Sequence, residues 1–139
     1  MSKNDELTVN VVTPDGSVYE GKTTLVICTT TKGQIGIMPN RLPLLATLAI
    51  DKIKVRKDDG TYEEVAVSGG FIEFSNNLLS VVANAAEKAD DIDVTRAEHA
   101  RDRAQARIKK AKEEKNADDL KRAEVALKRA INRINISQH

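Results

Sequence analysis

The sequence predicts a β + α protein in which an N-terminal antiparallel β-sandwich is followed by a C-terminal antiparallel two-helix hairpin. All seven glycines, all three prolines and all four aromatic residues lie within the first 85 residues, where short alternating apolar runs between turn residues are typical of strands. The last 54 residues contain none of these residue types, and 25 of the 54 are charged. Their apolar residues recur at intervals of three and four, which indicates helices. We therefore expect a sandwich domain over residues 1–86 and a helical domain over residues 87–139.

The predicted strands follow the turn signals along the first domain. Leu7, Val9 and Val11 alternate with polar residues and precede a Pro-Asp-Gly turn at 14–16. An Asp-Gly pair at 59–60 is a strong hairpin signal, and Gly-Gly at 69–70 and Asn-Asn at 76–77 mark further breaks. Short strands at this spacing are typical of an antiparallel sandwich or barrel. The predicted strands span residues 7–12, 18–19, 24–30, 44–50, 52–57, 61–67, 71–74 and 78–82.

One segment of the first domain has two interpretations. Residues 33–44 contain two glycines and two prolines together with apolar Ile35, Ile37, Met38 and Leu42. A loop of this composition is either a packed crossover between strands or an apolar edge presented to a partner. The residues alone leave both interpretations open.

The second domain shows two apolar stripes with helical spacing. Asp93 is expected to cap the first helix, and Asn116 or Asp118 the second. A short polar link between two helices predicts an antiparallel hairpin. Most residues of the seam are alanine, which buries few methyl groups, so the hairpin gains little from packing and is expected to be movable. The first stripe is Ala97, Ala100, Ala104, Ile108 and Ala111, and the second is Leu120, Ala123, Leu127, Ala130 and Ile134.

Composition excludes several classes of protein. The net charge is +1 and only 3% of residues are aromatic, which argues against a nucleic-acid-binding surface with stacking platforms. A single cysteine, Cys28, excludes an internal disulfide and a cysteine-ligated metal site. His99 and His139 have no Ser or Cys partner at a recognisable spacing, so we expect no catalytic residues and no metal site. The chain contains no apolar stretch of membrane-spanning or signal-peptide length, which predicts a soluble cytoplasmic protein.

The arginines of the second domain are the remaining chemical feature. Arg96 and Arg103 are seven residues apart and therefore share one side of the first helix. On the second helix, Arg122 lies seven residues before Arg129, and Arg133 lies one turn beyond it. These charges form either a solvated face or a site for an anion or an acidic partner, since arginine binds phosphates and carboxylates bidentately.

Several of these motifs together resemble the epsilon subunit family of bacterial ATP synthases. They are Gly-x-x-Gly-Ile-Met-Pro at 33–39, Ser-Gly-Gly-Phe at 68–71, Ile-Asp-x-x-Arg-Ala at 92–97, and the run from Lys121 to Arg133. The resemblance covers essentially the whole chain in the family's order. One departure is visible, because Arg41 stands where the family commonly has a histidine.

The resemblance implies a ten-stranded sandwich that binds the gamma subunit and the ring of c subunits. The chain would then be a non-catalytic central-stalk component of the rotor that couples proton translocation to ATP synthesis. It would lie at the cytoplasmic face of the cell membrane as a peripheral part of the F1 complex. The implied contacts with gamma and the c-ring are Ile35, Ile37, Met38, Arg41 and Leu42.

The resemblance also implies that the hairpin either folds back or rises along gamma, where it meets the alpha and beta subunits and inhibits ATP hydrolysis. The implied contacts with beta are Lys121, Arg122, Lys128, Arg129 and Arg133. No cofactor is required, but ATP is implied as a regulatory ligand of the folded hairpin. Its implied ligands are Glu87, Asp93, Arg96, Arg103, Arg129 and Arg133.

Two alternatives belong to other classes of function. A stand-alone nucleic-acid or protein interaction module would use the hairpin, whose net charge is +3, as a basic arm. The 11 acidic residues interspersed with its 14 basic ones oppose nucleic-acid binding. A small hydrolase would need a nucleophile and a base, and the sequence offers no such pair.

Overall fold

A computed structural model describes residues 5–138 of the chain and contains eight strands, a single 3-10 turn and two helices. The 3-10 turn spans Ala89–Asp91. The strands are β1 Leu7–Thr13, β2 Gly16–Thr23, β3 Val26–Thr30, β4 Gly33–Ile37, β5 Leu44–Arg56, β6 Tyr62–Ser75, β7 Leu78–Ala83 and β8 Ala86–Lys88, and the helices are α1 Val94–Glu113 and α2 Ala117–Ser137.

The eight strands are hydrogen-bonded in one folded sheet. The order is β2-β1-β7-β6-β5-β3-β4, and β8 pairs with β6 beside β7. Although β1 and β4 lie near opposite ends of this order, Val9 of β1 and Ile37 of β4 belong to the same fully buried core. The sheet therefore folds over on itself and encloses that core, which confirms the predicted β-sandwich.

The change of layer occurs at a glycine pair in β6. The large buried side chains are odd-numbered before positions 69–70 (Val65, Val67) and even-numbered after them (Ile72, Phe74). Because side chains alternate between the faces of a strand, the core-facing side must switch between these positions. Gly70 has a φ of +119°, a conformation that glycine adopts readily. The Gly-Gly pair that the sequence marks as a break is therefore a bend inside one continuous strand.

Three features of the sandwich correct the sequence analysis. The described residues form eight strands instead of the ten that the resemblance implies: β5 and β6 each run unbroken where two short strands were predicted, and β4 and β8 form where none was predicted. The pairing of β1 with β7 is parallel, so the sheet is not wholly antiparallel. The first part of the predicted 33–44 loop is the strand β4, in which Ile35 pairs with Cys28 of β3.

The two helices form the predicted antiparallel hairpin. Asp93 caps α1 by accepting a hydrogen bond from the Arg96 N–H (3.0 Å), and Asn116 caps α2 by accepting one from the Asp119 N–H (3.1 Å). The seam is formed by small side chains at the predicted positions, and Arg107 of α1 bonds Asp119 of α2 at 3.2 Å. The buried seam residues at the predicted positions are Ala97, Ala104, Ala111, Ala123, Ala130 and Ile134.

The chain divides into two compact units, residues 1–89 and residues 90–139. The sequence placed the boundary after Ala86. The first unit extends further because β8 continues to Lys88 and pairs with β6 through Glu87 and Ala66.

Candidate functional site

The loop between β4 and β5 exposes apolar side chains at the surface of the sandwich. Met38 is 60% exposed and Leu42 is 80% exposed, and Arg41 beside them is also exposed. Ile35 is half-buried against the core, and Ile37 is fully buried within it. Of the five predicted contact residues in this segment, Met38, Arg41 and Leu42 are accessible to a partner, whereas Ile37 is a core residue.

The same loop is held against the turn between β6 and β7. The Asn40 N–H donates to the Asn77 side-chain oxygen at 2.7 Å, and the Asn77 side-chain amide donates to the Asn40 side-chain oxygen at 3.2 Å. The Asn-Asn turn is predicted from the sequence, but its contact with the loop is not, because the two asparagines are 37 positions apart in the chain.

A row of apolar side chains crosses the outer face of the sandwich. Val12 is the register partner of Val82, and Val82 is the register partner of Phe71, so the three side chains lie side by side on one face. They are 36%, 37% and 43% exposed, respectively. A groove of about 580 Å³ lies beside Phe71 and is also lined by Leu45 and Lys32. This row was not predicted from the sequence, although adjacent apolar residues at 11–12 and 81–82 indicate strands that are apolar on both faces.

Four of the predicted nucleotide-binding residues are arginines of the hairpin. Arg96, Arg103 and Arg129 are exposed, and Arg133 is half-buried. Counted along the helices from the inter-helix turn, Arg96 and Arg133 both lie at roughly 25 Å, whereas Arg103 and Arg129 lie at roughly 15–18 Å. Because the helices are antiparallel neighbours, the arginines form two pairs at two levels of the hairpin.

The two predicted acidic ligands have different settings. The carboxylate of Asp93 accepts the Arg96 backbone N–H as the cap of α1, and the side chain is exposed. Glu87 lies in β8, is half-buried and belongs to the first compact unit.

The exposed face of α2 is basic beyond its first turns. Acidic residues of this helix are confined to Asp118, Asp119 and Glu124. Lys121, Arg122 and Lys128 are exposed, as is Arg129. Lys121 and Arg122 precede Glu124, and Lys128 and Arg129 follow it, so the exposed face of α2 carries positive charge on both sides of this one glutamate.

Reactive side chains are sparse in the part of the chain that the structure describes. Burial in the core raises the pKa of the Cys28 thiol to about 12, so this cysteine stays protonated and packs as a small apolar residue. No group of His, Cys, Asp and Glu side chains between residues 5 and 138 is arranged to hold a metal ion. His99 is exposed on α1, and His139 lies outside the described residues.

No helix within residues 5–138 is long and apolar enough to cross a membrane.

The chain combines a β-sandwich that has an exposed apolar row with a hairpin that has exposed arginines. These features define a two-domain protein of the class that binds other macromolecules. The family model for the ATP synthase delta/epsilon chain β-sandwich domain matches residues 6–89, and the model for the long α-helix domain of the same chain matches residues 90–138. The chain therefore belongs to the ATP synthase delta/epsilon chain family. This membership does not support the alternative of a stand-alone nucleic-acid or protein interaction module.

The chain is also similar, over nearly their full length, to proteins that are named ATP synthase epsilon chains. The chain is 65% identical to the ATP synthase epsilon chain of Ligilactobacillus salivarius over 139 residues, which is 100% of both chains. It is 53% identical to the epsilon chain of Levilactobacillus brevis over 96% of this chain and 95% of the relative. The epsilon chain of Pediococcus pentosaceus is 48% identical over 100% of both chains.

Solved structures show the same fold. A chain in the cryo-EM structure of the Euglena gracilis mitochondrial ATP synthase, which contains OSCP, F1 and the c-ring, matches with a TM-score of 0.80 at 16% identity. That match covers 100% of this chain and 85% of the other chain. A chain in the central stalk and c-ring structure from Tetrahymena thermophila matches with a TM-score of 0.52 at 14% identity, over 66% of this chain and 72% of the other.

Proposed function

We propose that this chain is a non-catalytic central-stalk subunit that binds gamma and the c-ring through its sandwich and inhibits ATP hydrolysis through its helical hairpin. In the assembled enzyme it turns with the rotor that couples proton translocation to ATP synthesis. It reaches the cytoplasmic face of the cell membrane as a peripheral part of that complex. This proposal rests on the exposed apolar row of Val12, Val82 and Phe71 on the sandwich of a chain that belongs to the epsilon family.

The sandwich supports the binding part of the proposal. Val12, Val82 and Phe71 are half-exposed neighbours, and Met38 and Leu42 of the loop between β4 and β5 are more exposed still. Exposed apolar patches on small soluble proteins commonly mark interaction surfaces. A partner that covers these side chains gains the free energy of removing their apolar area from water.

The charge of α2 supports the inhibitory part. Lys121, Arg122 and Lys128 are exposed, and acidic residues are absent from α2 after Glu124. A positive surface of this kind is complementary to the acidic segments that the resemblance to the epsilon family implies on the beta subunits, and such complementarity determines orientation and specificity. Contact with beta blocks the rotation that ATP hydrolysis drives.

Removing charge from α2 tests the inhibitory contact. We expect the triple variant Lys121→Ala, Arg122→Ala and Lys128→Ala to raise ATP hydrolysis by the assembled enzyme, with the largest effect at low ionic strength. Alanine keeps the helix propensity high. The matched control removes three exposed charges from α1 (Lys109→Ala, Lys110→Ala and Lys112→Ala) and leaves hydrolysis unchanged. Equal hydrolysis by both variants and the wild type at low and high salt contradicts electrostatic inhibition by α2.

The folded hairpin is also proposed to bind ATP as a regulatory ligand. Arg96, Arg103, Arg129 and Arg133 supply four guanidinium groups at two levels of the hairpin, and guanidinium groups bind phosphates through charge-assisted hydrogen bonds. Asp93 supplies an exposed carboxylate at the start of α1. The proposal rests on these five hairpin residues and does not use Glu87, which belongs to the other unit.

Calorimetry of the full chain with millimolar ATP tests this second proposal. Because a ligand that binds only the folded hairpin stabilises it, ATP should raise the melting temperature of the hairpin and weaken inhibition together. Arg103→Ala should lose most of the binding, and Lys110→Ala, which removes a charge from the same helix, should retain it. The absence of both heat and a thermal shift contradicts nucleotide binding.

A further inference from the structure

We infer that Asn77 is a positioning residue that fixes the exposed Met38–Leu42 segment, called here the docking loop, in its partner-binding conformation. This inference rests on the proposed function of the sandwich. Asn77 lies in the turn between β6 and β7, outside the segment that it positions.

The two asparagines exchange a pair of hydrogen bonds. The side-chain oxygen of Asn77 accepts from the Asn40 backbone N–H at 2.7 Å, and its amide donates to the Asn40 side-chain oxygen at 3.2 Å. The first bond holds the backbone of the docking loop at its centre, between Met38 and Leu42. The reciprocal pair fixes both the distance and the orientation of the two loops.

Asn77 is itself rigidly held by the sheet. Its carbonyl oxygen accepts from the Thr8 N–H of β1 at 2.8 Å. The turn connects Ser75 and Leu78, which are register partners, and Asn76 and Asn77 both have positive φ, at 51° and 60°. Positive φ at both central residues is the requirement of a tight type I′ hairpin turn. The docking loop is therefore anchored to a rigid part of the sandwich.

The docking loop carries large side chains that gain from being fixed. Met38 and Leu42 are 60% and 80% exposed, and Asn40 between them has a φ of 67°. A loop that is ordered before binding avoids the entropy cost of being ordered by its partner. Loss of the Asn77 side chain should therefore weaken binding without removing any contact with the partner.

The turn itself offers a matched pair of variants. Asn77→Gly removes the reciprocal pair of hydrogen bonds between Asn40 and Asn77, called here the clamp. The variant leaves the sequence Asn-Gly, which is favoured at a type I′ turn. Asn76→Gly removes the neighbouring side chain and retains both bonds between Asn40 and Asn77. Both glycines tolerate the positive φ of their positions. The two variants therefore change the same turn and differ in the clamp.

The experiment measures two quantities on the full chain. The hydrogen-exchange rate of the Asn40 backbone amide shows whether its bond to Asn77 is intact. The dissociation constant for a purified gamma–c-ring subcomplex measures binding by the docking loop. We expect Asn77→Gly to speed exchange at Asn40 and to weaken binding about tenfold, at an unchanged melting temperature. Asn76→Gly should match the wild type in both measurements.

Equal binding by the two variants, with the wild type bound normally, overturns the positioning role of Asn77 and leaves the proposed function intact. Unchanged exchange at Asn40 in Asn77→Gly also overturns it. A wild-type chain that fails to bind the gamma–c-ring subcomplex overturns the proposed function and, with it, this inference.

Discussion

At the scale of single residues, Gly70 determines how the sandwich closes. A Cβ at this position would overlap the Val82 carbonyl oxygen and approach the Ala83 Cα to 2.8 Å, and the φ of +119° is unfavourable for any other residue. Two backbones approach closely here because β6 bends beside β7. The requirement for glycine is therefore steric as well as conformational.

Gly70→Ala should destabilise the chain more than a Gly→Ala substitution at a position that has positive φ but no close neighbouring atoms. Gly16 provides the comparison, since its φ is +124° and a Cβ there would have no neighbour within 4 Å. We expect Gly16→Ala to lower the free energy of unfolding by about 1 kcal/mol and Gly70→Ala by about 3 kcal/mol or more. Chemical denaturation of both variants measures the difference. Equal losses would show that β6 and β7 separate at no cost.

Cys28 makes the stability of the sandwich pH-dependent. Burial raises the pKa of the folded thiol to about 12, while the thiol of the unfolded chain ionises near about 8.5. Between these values the unfolded state binds fewer protons, so the free energy of unfolding falls as the pH rises, by at most about 1.4 kcal/mol per pH unit. The full contribution is present below the unfolded pKa.

Urea denaturation between pH 8 and pH 10, under reducing conditions, separates this contribution from other titrating groups. The wild type should lose stability more steeply than Cys28→Val, which keeps a small apolar side chain in the core. Parallel pH profiles for the two proteins would mean that the thiol ionises in the folded state.

At the scale of elements, the turn between the helices determines the stability of the hairpin. The Asn116 N–H donates to the Ala111 carbonyl at 2.9 Å, and the Lys115 N–H donates to that of Lys112 at 3.3 Å. This pair of bonds is a Schellman motif, in which the residue with positive φ is usually glycine. Here that residue is Lys115, with a φ of 55°. The hairpin therefore retains a strained residue at its turn.

Lys115→Gly should stabilise the folded hairpin by about 1 kcal/mol, because glycine adopts positive φ without the steric penalty. If inhibition requires the hairpin to open, the same variant should raise ATP hydrolysis by the assembled enzyme. Thermal unfolding measures the first effect and an ATPase assay the second. Lys112→Ala, one turn earlier, is the control for the lost charge. A stabilised hairpin with unchanged inhibition would separate inhibition from opening.

The elements also show which features can be predicted from sequence. The helices and the Asp93 cap were predicted correctly because caps and alanine stripes are local signals. The strand β8 was not predicted, since the three residues at 86–88 form a strand only by pairing with β6, about 20 residues earlier. The exposure of Val12 and Phe71 was also missed, because local alternation does not reveal which face of a curved sheet the other layer covers.

At the scale of the whole molecule, the chain consists of two units with different kinds of stability. The described part of the first unit, residues 5–89, contains a closed apolar core of Phe74, Cys28 and fourteen aliphatic side chains. In the second unit, the helices α1 and α2 pack against each other mainly through alanines, which bury little apolar area. The proposed division of function agrees with this difference. The stable sandwich binds gamma and the c-ring, and the weakly packed hairpin responds to a ligand or a partner.

Comparison of the full chain with a chain ending at Ala89 tests this division most directly. Both proteins are added to the ATP synthase lacking this subunit, and binding to gamma and the rate of ATP hydrolysis are measured in the same samples. We expect cooperative unfolding and undiminished gamma binding for the shortened chain, with inhibition of hydrolysis by the full chain alone. Equal inhibition by the two proteins, or loss of gamma binding by a shortened chain that is still folded, would contradict it.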